Sequence, residues 1–282
     1  AGRHAQQGSR PVRRASVWMA ACLALWSTAR VPAEPIRRFV LAAGANNGGV
    51  ERELLRYAVS DAESFARVME EMGGVDAADC VLLRDPDLPA FAAGLETVRQ
   101  RVGAARRWGA GRLELVLYYS GHADDGGLLL AGQRQPYAQL RDYLDTVDAD
   151  VRIAILDACA SGNITRQKGG FRQSPFLVDE SSSMRGHAFL TSSSNNEAAQ
   201  ESDELGASFF THYLVSGLRG AADVSQDGRV TLTEAYHFAF DETLARTTGT
   251  SGGTQHPSRD ITMTGTGDVV LRDEGTADLP QG

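Results

Sequence analysis

An α/β fold, with a mainly parallel central sheet and helices on both faces, is what this sequence predicts. Three observations carry the expectation. Short apolar runs alternate with longer stretches whose apolar residues recur at helical spacing. Two of the runs, Leu113 to Tyr119 (LELVLYY) and Val151 to Leu156 (VRIAIL), are apolar almost throughout, as strands covered on both faces are. Helix-like sequence from Tyr137 to Thr146 separates them. Strand, helix, strand in that order closes as a right-handed crossover between parallel neighbours.

Residues 1–33 read as a signal peptide. Arg10, Arg13 and Arg14 form a positive region, Ala15 to Trp26 an apolar core, and Val31-Pro32-Ala33 a small-residue cleavage point. A mature chain from about Glu34 is then exported, periplasmic or secreted. The alternative is a membrane anchor through residues 15–26, although that run is short for a spanning helix. Residues 34–275 form the expected domain and Thr276 to Gly282 a loose tail.

Within the domain, Phe39 to Ala43 is the first expected strand. Glu51 to Met72 is an expected helix, with Leu54, Leu55, Ala58, Ala62, Phe65, Val68 and Met72 at helical spacing and Gly73-Gly74 to stop it. Cys80 to Leu83 is a strand and Pro89 to Trp108 a helix. The run Leu113 to Tyr119 follows, then a Gly-rich turn with Leu128 to Leu130, the helix from Tyr137 and the run Val151 to Leu156. Asn163 to Arg185 is polar, rich in Ser, Gly, Arg and Gln, and reads as a long loop open to nicking after Arg166, Lys168 or Arg172. His187 to Thr191 is a strand, Phe209 to Leu218 and Glu234 to Ala245 are helices, and Ile261 to Met263 and Val269 to Leu271 are short closing strands.

The chain has 282 residues, 42% of them hydrophobic, enough for one sizeable core. Its formal charge is −8, and because residues 1–33 hold five Arg and no acid, the remainder carries 23 basic against 36 acidic residues, or −13. So acidic a body is a poor nucleic-acid binder and a good host for cationic ligands. Cys22 lies in the signal, which leaves Cys80 and Cys159. Cys80 opens a strand and reads as a buried filler. No CxxC, HExxH, P-loop, GxSxG or dinucleotide fingerprint occurs.

The chemistry concentrates on His122 and Cys159. Each closes one of the two very apolar runs, in Ser120-Gly121-His122-Ala123 and Asp157-Ala158-Cys159-Ala160-Ser161-Gly162. Parallel strands deliver both to the carboxyl edge of one sheet, where open α/β sheets bind ligands. A thiol beside an imidazole is a nucleophile with its base. The bland alternative is an inert pair at two strand ends. YYSGHA followed by LDACASG resembles the His and Cys motifs of caspase-like cysteine peptidases, closer to the metacaspase and bacterial caspase-like branch than to animal caspases. LRYAVSDA, TSSS and SFFTHYLVSGLRGAAD extend the resemblance from about Arg37 to Asp273. It implies a caspase-haemoglobinase-like fold, with a large-subunit-like part at about 37–162, the loop 163–185 and a small-subunit-like part at about 186–273. It also implies endopeptidase activity on protein or peptide substrates.

By that resemblance Cys159 is the nucleophile and His122 the general base. The backbone N–H groups of Cys159 and Ala123 form the oxyanion hole, Ala123 standing where the family usually has Gly. Asp157 and Asp61 match the two acids that line the primary pocket of metacaspases. Two carboxylates in one pocket select a basic side chain, Arg or Lys. Alternatives for these acids are a solvated or capping helix acid at Asp61 and an acid bonded to loop amides at Asp157. The rival reading of the whole is a catalytically silent scaffold that binds a partner through the same cleft.

Asp223, Ser225, Asp227, Arg229, Thr231 and Glu234 have the spacing of an EF-hand calcium loop, with oxygens at positions 1, 3, 5, 9 and 12, Gly228 at position 6 and a carbonyl from Arg229 at position 7. The alternative is a polar Asp/Gly turn leading into a helix. Calcium is thus a possible ligand; the peptidase chemistry itself requires no cofactor. No nucleic acid and no stable membrane span beyond the signal are expected.

Overall fold

A computed structural model describes residue 2 and residues 35–159, 185–194, 199–265 and 267–274. The chain divides into two units, at Pro32 and Ala33, and every element below belongs to the second. The first half runs β1 (Ile36–Ala45), α1 (Ala58–Glu71), β2 (Cys80–Arg84), α2 (Leu88–Arg107) and β3 (Arg112–Gly121). A small meander follows, β4 (Ala123–Asp124), β5 (Gly127–Leu130) and β6 (Gln133–Pro136), then α3 (Tyr137–Thr146) and β7 (Val151–Asp157). The second half comprises β8 (Arg185–Thr191), β9 (Glu201–Ser202), β10 (Ala207–Ser208), α4 (Phe209–Ser216), β11 (Arg229–Thr231), α5 (Leu232–Thr247), β12 (Ser258–Thr264) and β13 (Val270–Asp273).

Six strands form the central sheet in the order β2-β1-β3-β7-β8-β12. All neighbours are parallel except β12, which runs antiparallel to β8. Period-two alternation divides each inner strand between two cores. Val116 and Tyr118 of β3 and Ile153 and Ile155 of β7 pack on the side of α1, α4 and α5. Leu115, Leu117 and Tyr119 of β3 and Ala154 and Leu156 of β7 pack on the side of α2 and α3. Each strand therefore reads as a continuous apolar run. On the first side Phe65 of α1 stacks on Tyr118 with ring centroids 4.4 Å apart, a geometry worth about 0.5–1.5 kcal/mol beyond area burial. At the amino edge of the sheet, the buried Arg38 guanidinium meets Glu114 at 2.7 Å and the carbonyls of Gly73, Val270 and Leu271, tying β1 and β3 to the C-terminal β13.

The helix expected from Glu51 begins seven residues later, at Ala58. Leu54 and Leu55 fit the helical period, yet Leu54 is 68% exposed. The backbone of this stretch has other partners: Arg52 N–H donates to Gly49 O and Leu55 N–H to Asn46 O. These turn and loop acceptors outweigh helical propensity there. The Gly-rich turn around Leu128 becomes the β4-β5-β6 meander. The helix expected over Phe209 to Leu218 keeps its regular part to Ser216 and continues as a π-helical turn that ends through Gly220 at φ 115°.

Of the expected loop 163–185, only Arg185 is described, as the first residue of β8. The expected signal and anchor residues and the tail lie outside the described residues. No helix among the described residues is long and apolar enough to cross a membrane.

Candidate active site

Register builds the site. Ser120, at the end of β3, pairs with Asp157, the last residue of β7. His122 and Cys159 each lie two residues beyond that pair, on neighbouring parallel strands at their carboxyl ends. By alternation, Ser120 and Asp157 continue the face that carries Tyr118 and Ile155 and is covered by α1 and α4. Gly121 lets the chain turn tightly there: a Cβ on it would come within 2.5 Å of the Tyr119 hydroxyl and 2.9 Å of Ala45 O. The same Tyr119 hydroxyl lies 2.9 Å from both His122 O and Leu129 O, which share its one proton, and so pins the backbone that carries His122.

The His122 ring is buried, 8% exposed. Its Nε2 lies 2.7 Å from the carbonyl oxygen of Glu53. A carbonyl only accepts, so Nε2 carries the proton and the neutral ring keeps its lone pair on Nδ1. Gly48 lies against the ring, where an added Cβ would approach Cδ2 and Cγ to 2.5 Å. Glu53 belongs to the stretch that the hydrophobic period assigned to a helix. As helix, its carbonyl would be spent on an i→i+4 bond. The partner that orients His122 is a main-chain atom, for which no residue type gives a signal.

Cys159 is a free, half-buried thiol, as is Cys80. Burial pushes the Cys159 thiol above its ordinary pKa, and the nearby Asp157 carboxylate adds to this; a hydrogen bond from the Ala199 backbone and the positive charge of Arg52 oppose it. The resting group is therefore a neutral thiol that needs a base. Burial pushes the Cys80 thiol further, up to about 12.

Ala123 takes its place by strand pairing. Leu129 N–H donates to His122 O, and Ala123 stands opposite Leu128. Antiparallel ladders alternate bonded and non-bonded pairs, so Ala123–Leu128 is a non-bonded pair and the Ala123 N–H is directed away from β5.

Asp61 and Asp157 are brought together beneath this edge, 1% and 3% exposed. Asp61 sits in the first turn of α1 and accepts the Ser208 backbone N–H at 3.2 Å and the Ser120 hydroxyl at 3.4 Å. Asp157 Oδ2 accepts the Ser208 hydroxyl and, at 2.6 Å, that of Thr211, whose oxygen also meets the Tyr118 hydroxyl at 2.5 Å. Asp157 Oδ1 is buried without a hydrogen-bond partner. Burial, with the Asp157 charge second, pushes the Asp61 carboxyl up to about 8. Burial raises Asp157 as well, against the Ser208 and Thr211 hydroxyls. Two like charges this close do not both ionise readily, so the pair holds a proton near neutrality. Neither acid is the solvated or loop-bonded group that the bland readings described. Ser208, Thr211 and Glu201, which accepts from the start of α1, are the members that sequence reasoning missed.

The segment from Asp223 to Glu234 forms a turn and a helix start. Asp223 Oδ1 accepts from Ser225 Oγ and Asp227 N–H, Asp223 Oδ2 from Gly228 N–H, and Asp227 Oδ1 from Arg229 N–H. Glu234 and Thr231 make a reciprocal capping box at the start of α5. Arg229 and Thr231 lie in β11, paired with β13. Among the described residues no group of three or more His, Cys, Asp or Glu side chains is disposed to hold a metal ion. The six expected ligands are thus engaged with one another and with the backbone.

No protein-family model matches the chain, and no curated protein matches it in sequence. In structure it is similar to a crystal structure of caspase-1 from Spodoptera frugiperda. The match has a TM-score of 0.59 at 12% identity and covers 88% of this chain and 94% of that one. The mostly parallel six-stranded sheet, the helices on both faces and this structural likeness together make the domain a caspase-like α/β fold.

Proposed function

We propose that the protein is a cysteine endopeptidase of metacaspase-like specificity, cutting peptide bonds after Arg or Lys. The observation that carries the reading is the 2.7 Å bond from His122 Nε2 to Glu53 O at the strand end beside Cys159. It leaves Nδ1 as the acceptor for the thiol proton. Cys159 Sγ attacks the scissile carbonyl as that proton passes to Nδ1. The N–H groups of Ala123 and Cys159 hold the developing oxyanion. The imidazolium then protonates the leaving amine, and water, deprotonated by the same ring, hydrolyses the thioester. A thiol that burial keeps neutral fits general-base activation at the moment of attack.

Asp61 and Asp157 supply the specificity. A guanidinium or ammonium entering between them would meet the unpartnered Asp157 Oδ1 and displace the proton the pair retains. An acidic side chain would bring a third negative charge to a buried site, at a cost of several kcal/mol. Fluorogenic peptides ending in Arg, Lys, Asp and Asn test the assignment, with Cys159→Ala as the blank. Hydrolysis of the basic peptides alone supports it; preference for Asp overturns the pocket. Labelling of Cys159 by an arginyl chloromethylketone separates an enzyme from a silent scaffold, which would leave the thiol unlabelled.

A further inference from the structure

The acidic hairpin β9–β10 is fastened to the site by the two residues paired at its open end, Glu201 and Ser208. Ser208 donates its N–H to Asp61 and its hydroxyl to Asp157. The Glu201 carboxylate accepts the backbone N–H of Arg56 at 3.1 Å and of Tyr57 at 2.9 Å. These are the amides at the entry of α1, whose N-cap Tyr57 makes no side-chain cap of its own. A carboxylate from a distant part of the chain thus meets the positive end of the helix at the two amides ahead of its first turn, while the Val59 N–H within that turn donates to Asn46 Oδ1. Within the stretch from Asn46 to Tyr57, Arg52 N–H donates to Gly49 O and Leu55 N–H to Asn46 O, and Glu201 takes the next two amides, Arg56 and Tyr57. Glu53, whose carbonyl orients His122, lies inside the loop that Leu55 N–H closes, just ahead of the amides that Glu201 holds.

We propose that Glu201 is a positioning residue for the general base: by clasping the entry of α1 it holds the Glu53 carbonyl against His122 Nε2. The inference rests on His122 acting as the base of Cys159. The hairpin thereby connects the two functions of the site, since the same eight residues brace the acid pair through Ser208 and the imidazole through Glu201. Asp203, which bonds the Arg56 guanidinium and the Tyr57 hydroxyl, lies on the exposed side of the same clasp.

The test is the rate at which Cys159 is alkylated by iodoacetamide at fixed pH, read on the Cys159 peptide by mass spectrometry. It reports base-assisted thiol reactivity and needs no substrate. Wild type, His122→Ala, Glu201→Ala and Glu201→Gln are compared after their folding is checked by circular dichroism. Glu201→Ala should slow alkylation about tenfold, most of the way to the His122→Ala rate. Glu201→Gln, whose amide oxygen still accepts from the helix entry, should stay within about threefold of wild type. If Glu201→Ala does not fold, Glu201→Asp carries the test: it keeps the charge but falls one methylene short, and should be slowed likewise. Wild-type reactivity in Glu201→Ala or Glu201→Asp overturns the clasp. Equal rates in wild type and His122→Ala overturn the dyad itself, a different failure, and the clasp with it.

Discussion

Asp61→Asn should make this protein more stable, and increasingly so as pH rises. The Asp61 carboxyl is 1% exposed and its pKa stands at about 8 against an ordinary 3.8. Burial is the main cause and the neighbouring Asp157 the second. Below about pH 4 the group is protonated in both the folded and the unfolded chain, and no stability is lost through it. As pH rises the unfolded chain ionises it first. The folded state therefore loses stability progressively, until the loss is complete above about pH 8. Roughly four pKa units at about 1.4 kcal/mol each set a ceiling near 6 kcal/mol. Relaxation and water entry around buried charge reduce such ceilings, so about 2–4 kcal/mol is expected at pH 8. For a domain of this size that is roughly 5–15 °C in melting temperature. Asn keeps the oxygen that accepts the Ser208 N–H and never ionises. The assay is thermal unfolding of wild type and variant from pH 4.5 to 8.5, taken as a difference so that shared titrations cancel. A gap that does not widen with pH would falsify the shared-proton account of the acid pair, and so would a variant less stable than wild type at pH 8.

Other outcomes follow from the same geometry. Benzamidine, a small mimic of an arginine side chain, should bind more tightly as pH rises towards about 8, by nearly tenfold per pH unit if one proton is displaced, and isothermal calorimetry should find that slope flattened in Asp61→Asn. Cys159→Ala should abolish peptide hydrolysis and His122→Ala should lower kcat by several orders of magnitude, roughly the loss met when a nucleophile's base is removed; undiminished turnover in either purified variant refutes the dyad. Asp157→Asn removes one partner of a buried charge pair, a loss of about 3–5 kcal/mol or roughly 10²–10⁴ in kcat/KM for Arg peptides, and an unchanged value excludes it from the pocket. The calcium proposal for residues 223–234 expects heat on titrating chelator-treated protein and a melting temperature that rises with calcium, both lost in Asp223→Ala; without them the segment is a capped turn, in which Thr231→Ala costs about 1 kcal/mol whether or not the ion is added.

The sheet was legible because its inner strands are covered on both faces and therefore spell unbroken apolar runs, as in LELVLYY and VRIAIL. His122 and Cys159 were legible for the same reason: each follows such a run, and parallel strands bring their ends to one edge. Asp61 and Asp157 came from a family pattern, and the structure adds that they are buried side by side. What could not be read depends on contacts distant in sequence. Leu54 and Leu55 keep the helical period outside any helix, because Asn46 O takes the Leu55 N–H and Glu201 takes the amides of Arg56 and Tyr57 that follow. Ser208 and Thr211 look like ordinary helix-start residues, and indeed Ser208 caps α4. Their second task, holding Asp157, appears only once β7 and α4 meet. In residues 223–234 the spacing of oxygens read as a calcium loop; the structure adds a capping box between Thr231 and Glu234, which a Thr followed three residues later by Glu also announces.

That His122 leans on a carbonyl of the main chain has a genetic corollary. Every one of the coded amino acids supplies that oxygen, so codon 53 is free to drift while the imidazole keeps its orientation. A saturation scan of position 53 would return a nearly flat profile, and a ranking of sites by mutational tolerance would pass it over. The intolerance is displaced onto Gly48, five positions upstream, where a single methyl group would press on the imidazole at 2.5 Å. Selection would therefore guard the imidazole through a residue that forms no bond to it, and an inventory of polar side chains would miss both the support and its sentinel.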